Sequence, residues 1–248
     1  MTLSLHLVEH RVRELPAFWR HRPRLAAEIE RVPGVAHARL GADIALTART
    51  GGRPRVRRTA LLVAWHDRAA RDACLGAGWP AAYVGDARES WSLALDAATV
   101  VRGAWRGWQP DTSGVERLRP EEPVVVVTYA AAPPRGVPAF FRGNREVCRA
   151  LDANAAETFR LGFLDGRLGF GTVTMWRSQK AMTQFTYRGP VHEPARRRVE
   201  EKVELRDHFF ARFRPVASYG TWHGGDPLAD LRREVDTATD GSGAATNL

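Results

Sequence analysis

Lysine is nearly absent from this basic sequence. Only Lys180 and Lys202 accompany the arginines among 37 basic residues, which outnumber 28 acidic ones and give a formal net charge of +9. Such a preference for arginine, beside abundant alanine and glycine, is typical of genome composition. The basic residues are scattered and no aromatic–basic RNA-binding module occurs, so we predict no nucleic-acid binding. A basic face for an acidic protein partner is a better use of the charge.

Cysteines and long apolar runs are also scarce. Cys74 and Cys148 lie far apart in the sequence, which indicates neither a disulfide framework nor a zinc site. No apolar run approaches the roughly 18 residues that a membrane span needs. The first residues, 1–13, carry charges inside their apolar stretch, unlike a signal peptide. We therefore predict a cytoplasmic protein without a transmembrane segment, and its hydrophobic content of 44% is ordinary for a globular core.

The sequence also contains a repeat of itself. Four segments recur in the same order at offsets of 122, 121, 111 and 117: Pro16–Arg20 as Pro138–Arg142, Arg39–Gly41 as Arg160–Gly162, Trp65 as Trp176, and Gly103–Trp105 as Gly220–Trp222. Ordered matches of this kind predict an internal duplication. The changing offset indicates about ten extra residues in the first half, around 41–60, and six extra in the second half, between Trp176 and Trp222.

Hydrophobic periodicity predicts the same order of elements, β-α-β-β-α-β, in both halves. This order is the ferredoxin-like arrangement. We therefore predict an α+β fold in which two ferredoxin-like repeats bury their open sheet faces on each other, as a dimeric α+β barrel formed within one chain. The predicted boundaries are 1–108 for the first repeat, 109–123 for a linker, 124–223 for the second repeat, and 224–248 for a partly disordered tail. Whether such pseudo-dimers pair further into a homodimer stays open.

Common catalytic motifs are missing. The sequence has no phosphate-binding loop and no Gly-x-Ser-x-Gly motif, and its glycine-rich segment Leu164–Gly171 joins two predicted strands, as a β-turn does. The segment that begins at His192 lacks the second histidine of a zinc protease. No cluster of histidine, cysteine and carboxylate residues has the spacing of a metal cage. The remaining possibility is chemistry that depends on a single histidine.

His192 is the candidate for that chemistry. It lies in the six-residue excess of the second half, between Gly189-Pro190 and Pro194. One imidazole and a dry apolar pocket are sufficient to hold heme. Nearby residues could form the pocket, with Trp176, Met182 and Phe185 as walls and Arg188 and Arg196 as partners of the propionates. From spacing alone, however, a surface or capping histidine and a set of core aromatics are the simpler interpretation.

A family resemblance favours heme binding by His192 over a surface or capping role. In order along the chain, the sequence resembles the spheroidene monooxygenase family of carotenoid biosynthesis at Thr2–Leu5, Glu89–Trp91, Thr172–Trp176, Ala181–Phe185, Gly189–His192, Phe210–Arg214 and Gly220–Trp222. The similarity extends over roughly 1–222. It implies a dimeric α+β barrel with heme b bound through His192. It also implies oxygen-dependent monooxygenation of an apolar small molecule, with electrons from ferredoxin.

Two other functions stay open. A redox-neutral heme enzyme acting on nitrogen–oxygen bonds, such as an aldoxime dehydratase, would use the same pocket without an electron donor. A heme-free barrel that binds a small molecule is the third alternative. The sequence does not identify the catalytic residues or the substrate. If His192 is not the iron ligand, the next candidates are His37, His66 and His208.

Overall fold

The computed structural model describes residues 2–80, 83, 85, 87–108, 113–131, 133–134, 137–165, 169–189, 194 and 207–233. The first half contains β1 (Thr2–Glu9), α1 (Leu15–Glu30), β2 (Val35–Ala45), β3 (Arg53–Trp65), α2 (Arg68–Gly76) and β4 (Glu89–Gly103). The second half contains β5 (Val124–Ala131), α3 (Val137–Asp152), β6 (Glu157–Leu164), β7 (Gly169–Trp176), α4 (Gln179–Thr183) and β8 (Asp207–Gly220). A π-helical turn, Gln184–Arg188, continues α4, and a last helix, α5, covers 227–233.

The eight strands close into a barrel in the order β1-β3-β2-β6-β7-β5-β8-β4. Every pairing between them is antiparallel. The strands of each half lie side by side, and the halves join where β2 meets β6 and where β4 meets β8. Closure leaves no unpaired sheet edge between the halves. The predicted α+β class and the barrel are thus confirmed.

Strict alternation along the strands separates the barrel interior from its outer face. On β1, Leu3, Leu5 and Leu7 belong to the interior cluster, whereas Ser4 and His6 face the helices outside. The interior cluster draws on seven strands and is almost wholly aliphatic and aromatic. Burying one such leucine stabilises the fold by about 2 kcal/mol, so the core is continuous across both halves.

A tight turn follows the last strand of each half and inserts a tryptophan into the interior. After β4, Trp105 forms a β-bridge with Trp108; after β8, Trp222 forms one with Gly225. Both Trp105 and Trp222 belong to the interior cluster. The second residues of the two turns, Arg106 and His223, have positive φ angles of 52° and 58°. The two turns therefore have similar backbone geometry at the positions that the sequence matches at an offset of 117.

The β2–β3 hairpin is longer than its counterpart in the second half. β2 and β3 have 11 and 13 residues, whereas β6 and β7 have 8 each. The hairpin reaches α3, where Asn144 donates a hydrogen bond to the Gly51 carbonyl and the Phe141 ring contacts Gly52. The extra residues predicted around 41–60 thus lie in an extension that links the two halves.

The helices begin as the sequence predicts, but two segments differ from expectation. Asp67 and Ser178 cap α2 and α4 by accepting hydrogen bonds from Ala70 N and Ala181 N. The second of these helices changes from α to π at Gln184. In the predicted tail, α5 buries Leu228 and Leu231 in the core because their spacing places both on one helical face. No helix among the described residues is long and apolar enough to cross a bilayer.

Candidate functional site

The outer faces of the two halves differ in exposure. In the first half, the residues of β1 and β3 that face the helices, Ser4, His6, Thr59, Leu61 and Val63, are fully buried. In the second half, the corresponding face of the sheet is partly exposed at Thr128, Ala130, Thr172, Thr174 and Phe210, which we call the C-terminal outer face. Small hydroxyl and methyl side chains leave space above a sheet that large side chains would fill. The outer sides of β1 and β3 are therefore packed, whereas those of β5, β7 and β8 include partly exposed residues.

Buried polar groups fill the space in the first half. The His6 ring lies within hydrogen-bond distance of Ser4 Oγ and Ser92 Oγ, at 2.8 Å each, and Trp65 Nε1 donates to the same Ser4 oxygen at 2.9 Å. Burial lowers the pKa of His6 to about 3, because charging the ring inside the protein is unfavourable. His6 is thus neutral, with both ring nitrogens already engaged, and its environment is structural.

An apolar wall closes one end of the C-terminal outer face. Trp176 at the end of β7, Met182 on α4 and Phe185 in the π-helical turn belong to one hydrophobic cluster. The Trp176 and Phe185 rings lie 5.2 Å apart, and Thr186 contacts the Met182 sulfur at 3.5 Å. The structure thus brings together the three side chains predicted as pocket walls. Trp176 and Met182 are fully packed, whereas Phe185 is only partly buried.

The π-helical turn ends just before the sequence segment that contains His192. Isolated π turns within helices are frequent at functional sites, since the extra residue alters the direction of the side chains. Here the turn ends at Arg188, which is exposed, and Gly189 follows in extended conformation. His192 and Arg196 themselves lie outside the described residues. Their roles stay predictions.

Arg212 is a site residue that sequence reasoning missed. On β8 it alternates with the interior residues Ala211 and Phe213, and its guanidinium stacks on Phe210, 5.6 Å from that ring. Its Nη2 donates to Tyr187 Oη at 3.3 Å, while its buried Nε has no hydrogen-bond partner among the described residues. A buried donor without an acceptor costs about 1–3 kcal/mol. The period-two pattern of Phe210–Arg214 was the signal that could have placed Arg212 on this face.

The other histidines lie elsewhere. His37 stacks on Trp108 with ring centroids 5.6 Å apart, and its buried Nε2 has no partner in the described part of the chain. His66 and His208 are exposed. Among the described residues, no group of three histidine, cysteine or carboxylate side chains could hold a metal ion.

The described side chains fit a flat apolar cofactor with acidic substituents. The C-terminal outer face offers a floor of small side chains, the wall at Trp176 offers aromatic contacts, and Arg212 offers an unpaired guanidinium N–H to a carboxylate. By contrast, a separate open pocket of about 400 Å³ is lined by the polar and charged residues Glu157, Thr158, Arg177, Asp230 and Arg233. The first site suits heme and the second does not.

Comparison with known proteins bears on this site. The chain is 31% identical over 140 residues to a spheroidene monooxygenase from Rhodobacter capsulatus. The sequence resemblance is confirmed. The match covers 55% of this chain, a shorter stretch than the predicted 1–222, and 58% of that relative's length. No family model matches the chain.

One solved structure confirms the kind of fold. An aldoxime dehydratase in complex with butyraldoxime superposes with a TM-score of 0.53 at 11% identity, covering 93% of this chain and 84% of that one. A monooxygenase-like protein from Listeria innocua gives a TM-score of 0.33 at 7% identity, covering 87% and 94%. Identities this low establish architecture alone, because one fold supports many chemistries. The sequence match is therefore a partial resemblance, and the structural match shows the α+β barrel fold.

Proposed function

We propose that the protein is a heme-dependent monooxygenase that oxidises an apolar small molecule on its C-terminal outer face. One observation carries the proposal: among the described residues the C-terminal outer face is partly exposed at β5, β7 and β8, and the buried Arg212 Nε on it has no acceptor among those residues. The resemblance to a spheroidene monooxygenase supports the same activity. Because that match spans little more than half of the relative, the substrate and the reaction are part of the proposal.

The residues take distinct roles in this proposal. His192 holds the iron of heme b, while Arg212, with Arg188 and Arg196, binds the propionates. Trp176, Met182 and Phe185 exclude water from the apolar end of the site. Heme, when bound, supplies the activation of oxygen. An acidic ferredoxin would supply electrons by docking on the positively charged protein.

The proposal extends to the origin of the scaffold. We assign 1–108 and 124–223 to two ferredoxin-like repeats joined by 109–123 and related by an approximate twofold, so that one chain forms the barrel that two chains form elsewhere. The matching tight turns at Trp105 and Trp222 support this assignment. In each half, helices pack on the outer face of the sheet. Because these two outer faces differ in exposure, we expect one cofactor site per chain. Further pairing into a homodimer stays open.

Heme reconstitution followed by spectroscopy tests the proposal. Purified protein, mixed with hemin, should give a Soret band and a stoichiometric pyridine hemochrome. His192→Ala should lose or shift that band while keeping its circular dichroism, and added imidazole should partly restore it. His208→Ala is the matched control, because His208 is exposed and should leave the spectrum unchanged.

The outcomes separate the alternatives. Absence of saturable heme binding by folded wild-type protein would overturn the heme proposal and favour a heme-free binding protein. A wild-type spectrum in folded His192→Ala would overturn the ligand assignment. Turnover of an apolar substrate that requires both reductant and oxygen supports monooxygenation. Dehydration of an aldoxime in the absence of reductant and oxygen would instead show that the protein is a redox-neutral heme enzyme.

A further inference from the structure

A basic surface with exposed valines lies at the end of the barrel where β1 finishes and β3 begins. We name it the Arg–Val surface and define it by the residues Arg11, Val12, Arg13, Arg53, Arg55, Val56 and Arg57. Val12 and Val56 are 64% and 63% exposed, more than any other large hydrophobic side chain among the described residues. Together with the five arginines of the same surface, these valines combine exposed aliphatic side chains with a predominance of positive charge.

The backbone brings the two parts of this surface together. His10 N donates a hydrogen bond to the Arg57 carbonyl at 2.8 Å, directly after the Glu9–Arg58 pair of the β1–β3 ladder. The turn that contains Val12 therefore begins beside the strand segment that contains Val56. The two valines come from segments more than 40 residues apart, and the fold places them on one surface.

Two carboxylates of this region are buried beneath the arginines, whereas Glu14, 41% exposed, pairs with Arg13 at 3.0 Å. Glu9, whose side chain is 8% exposed, pairs with Arg57, Arg58 and Arg88 at 3.3, 2.7 and 2.9 Å. Asp43, 1% exposed, pairs with Arg55 at 3.2 Å. The more exposed groups are the guanidiniums, with Arg13, Arg55 and Arg88 at 70%, 44% and 64%. The surface therefore presents mainly positive charge and aliphatic side chains outward.

We infer that the Arg–Val surface binds the surface of an anionic lipid bilayer. Arginines attract acidic headgroups, and their long side chains let the charge stay in the headgroup region while short aliphatic side chains enter the acyl boundary. Stable attachment needs both an electrostatic and an apolar component, and this surface has both. An acidic protein is the weaker alternative, because the residues of this surface include no aromatic side chain to anchor a protein interface.

This attachment would place the protein at the lipid bilayer, where apolar molecules concentrate. The inference does not rest on the proposed heme chemistry, since it depends only on surface residues. It is peripheral attachment, in keeping with the absence of a membrane-spanning helix among the described residues.

Vesicle flotation tests the inference with wild-type protein, both as purified and after addition of hemin. The protein should float with vesicles of phosphatidylcholine and phosphatidylglycerol, remain behind with phosphatidylcholine alone, and dissociate at 1 M salt, where screening acts within about 3 Å. Val12→Ser/Val56→Ser should weaken binding roughly tenfold, as expected when two valine side chains no longer enter the acyl boundary. Val216→Ser is the matched control, because Val216 is 38% exposed outside this surface.

Two results would overturn the inference. One is wild-type protein that fails to float with anionic vesicles. The other is a folded double variant, checked by circular dichroism, that floats like the wild type. Binding of wild-type protein to polyglutamate but not to anionic vesicles would assign the surface to an acidic protein instead. Flotation without any heme binding would uphold this inference while the proposed function fails.

Discussion

Arg106 and Asp165 form a two-pronged ion pair between the halves of the barrel. Arg106 Nε and Nη2 donate to the Asp165 carboxylate at 3.0 and 2.9 Å, and the Tyr129 hydroxyl donates to the same carboxylate at 2.7 Å. The Asp165 side chain is 4% exposed and that of Arg106 is 18% exposed. Arg106 holds this position from a turn in which its own φ is positive. The pair thus fixes the loop after β4 onto the β6–β7 connection.

Removing this arginine should destabilise the fold. Arg106→Ala removes the guanidinium that donates hydrogen bonds to the buried Asp165 carboxylate, so the free energy of unfolding should fall by about 3 kcal/mol in urea titrations. Arg106→Lys should recover only part of the loss, because an ammonium cannot make two parallel hydrogen bonds. A loss below about 0.5 kcal/mol for Arg106→Ala would show that the pair is energetically neutral.

Acid should destabilise the protein through its buried histidines. Burial lowers the pKa of His6 to about 3 and the pKa values of His10 and His37 to about 4. An unfolded histidine takes up a proton near pH 6.5, so the unfolded state binds more protons between about pH 6.5 and the folded pKa values. Stability is therefore complete above this window and decreases as the pH falls through it.

Urea unfolding at several pH values between 7 and 5 would measure this effect. Each buried histidine contributes a slope of up to about 1.4 kcal/mol per pH unit within its window. His6→Gln should reduce the total slope relative to the wild type. An identical slope in His6→Gln and wild-type protein would contradict the assignment.

Alanine should lower the stability of the protein at two glycines that occupy matching positions in the two halves. Gly103 and Gly220 have φ angles of +80° and +81°, and an added Cβ would lie 1.9 Å from the His208 carbonyl oxygen or 2.3 Å from that of Ser90. Each substitution should cost more than about 2 kcal/mol in thermal or urea unfolding. Gly107→Ala is the control: its φ is +83° but the space around it is open, so only the backbone cost of about 1 kcal/mol is expected. Equal stability of all three variants would argue against close strand approach at the two glycines.

Filling the C-terminal outer face should block cofactor binding without unfolding the protein. Thr172 lies on this face between Thr128 and Gly162 of the adjacent strands and is partly exposed. Thr172→Trp should therefore reduce heme uptake by at least about tenfold, because the indole occupies the floor of the site. Thr172→Ser should bind like the wild type. If folded Thr172→Trp takes up heme normally, the cofactor site lies elsewhere.

The family resemblance and the alternating patterns were accessible in the sequence. Leu3, Leu5 and Leu7 alternate with Ser4 and His6, which predicts a strand with two different faces, and the Pro16 and Ser178 signals predict helix starts. These features depend on neighbours within a few residues, so local periodicity and capping determine them. Hydrophobic periodicity also predicted the eight strands and their order along the chain.

Only the tertiary structure decided which face is packed and which is accessible. His6 appears in the sequence as one polar residue of a strand, and only the fold surrounds it with Ser4 and Ser92 and lowers its pKa. Arg212 is one arginine among many until β8 places its Nε in a buried position without an acceptor among the described residues. Val12 and Val56 become one surface only when β1 pairs with β3. Burial and pairing between distant segments depend on the whole chain, so periodicity predicts the elements, while their long-range packing determines the site.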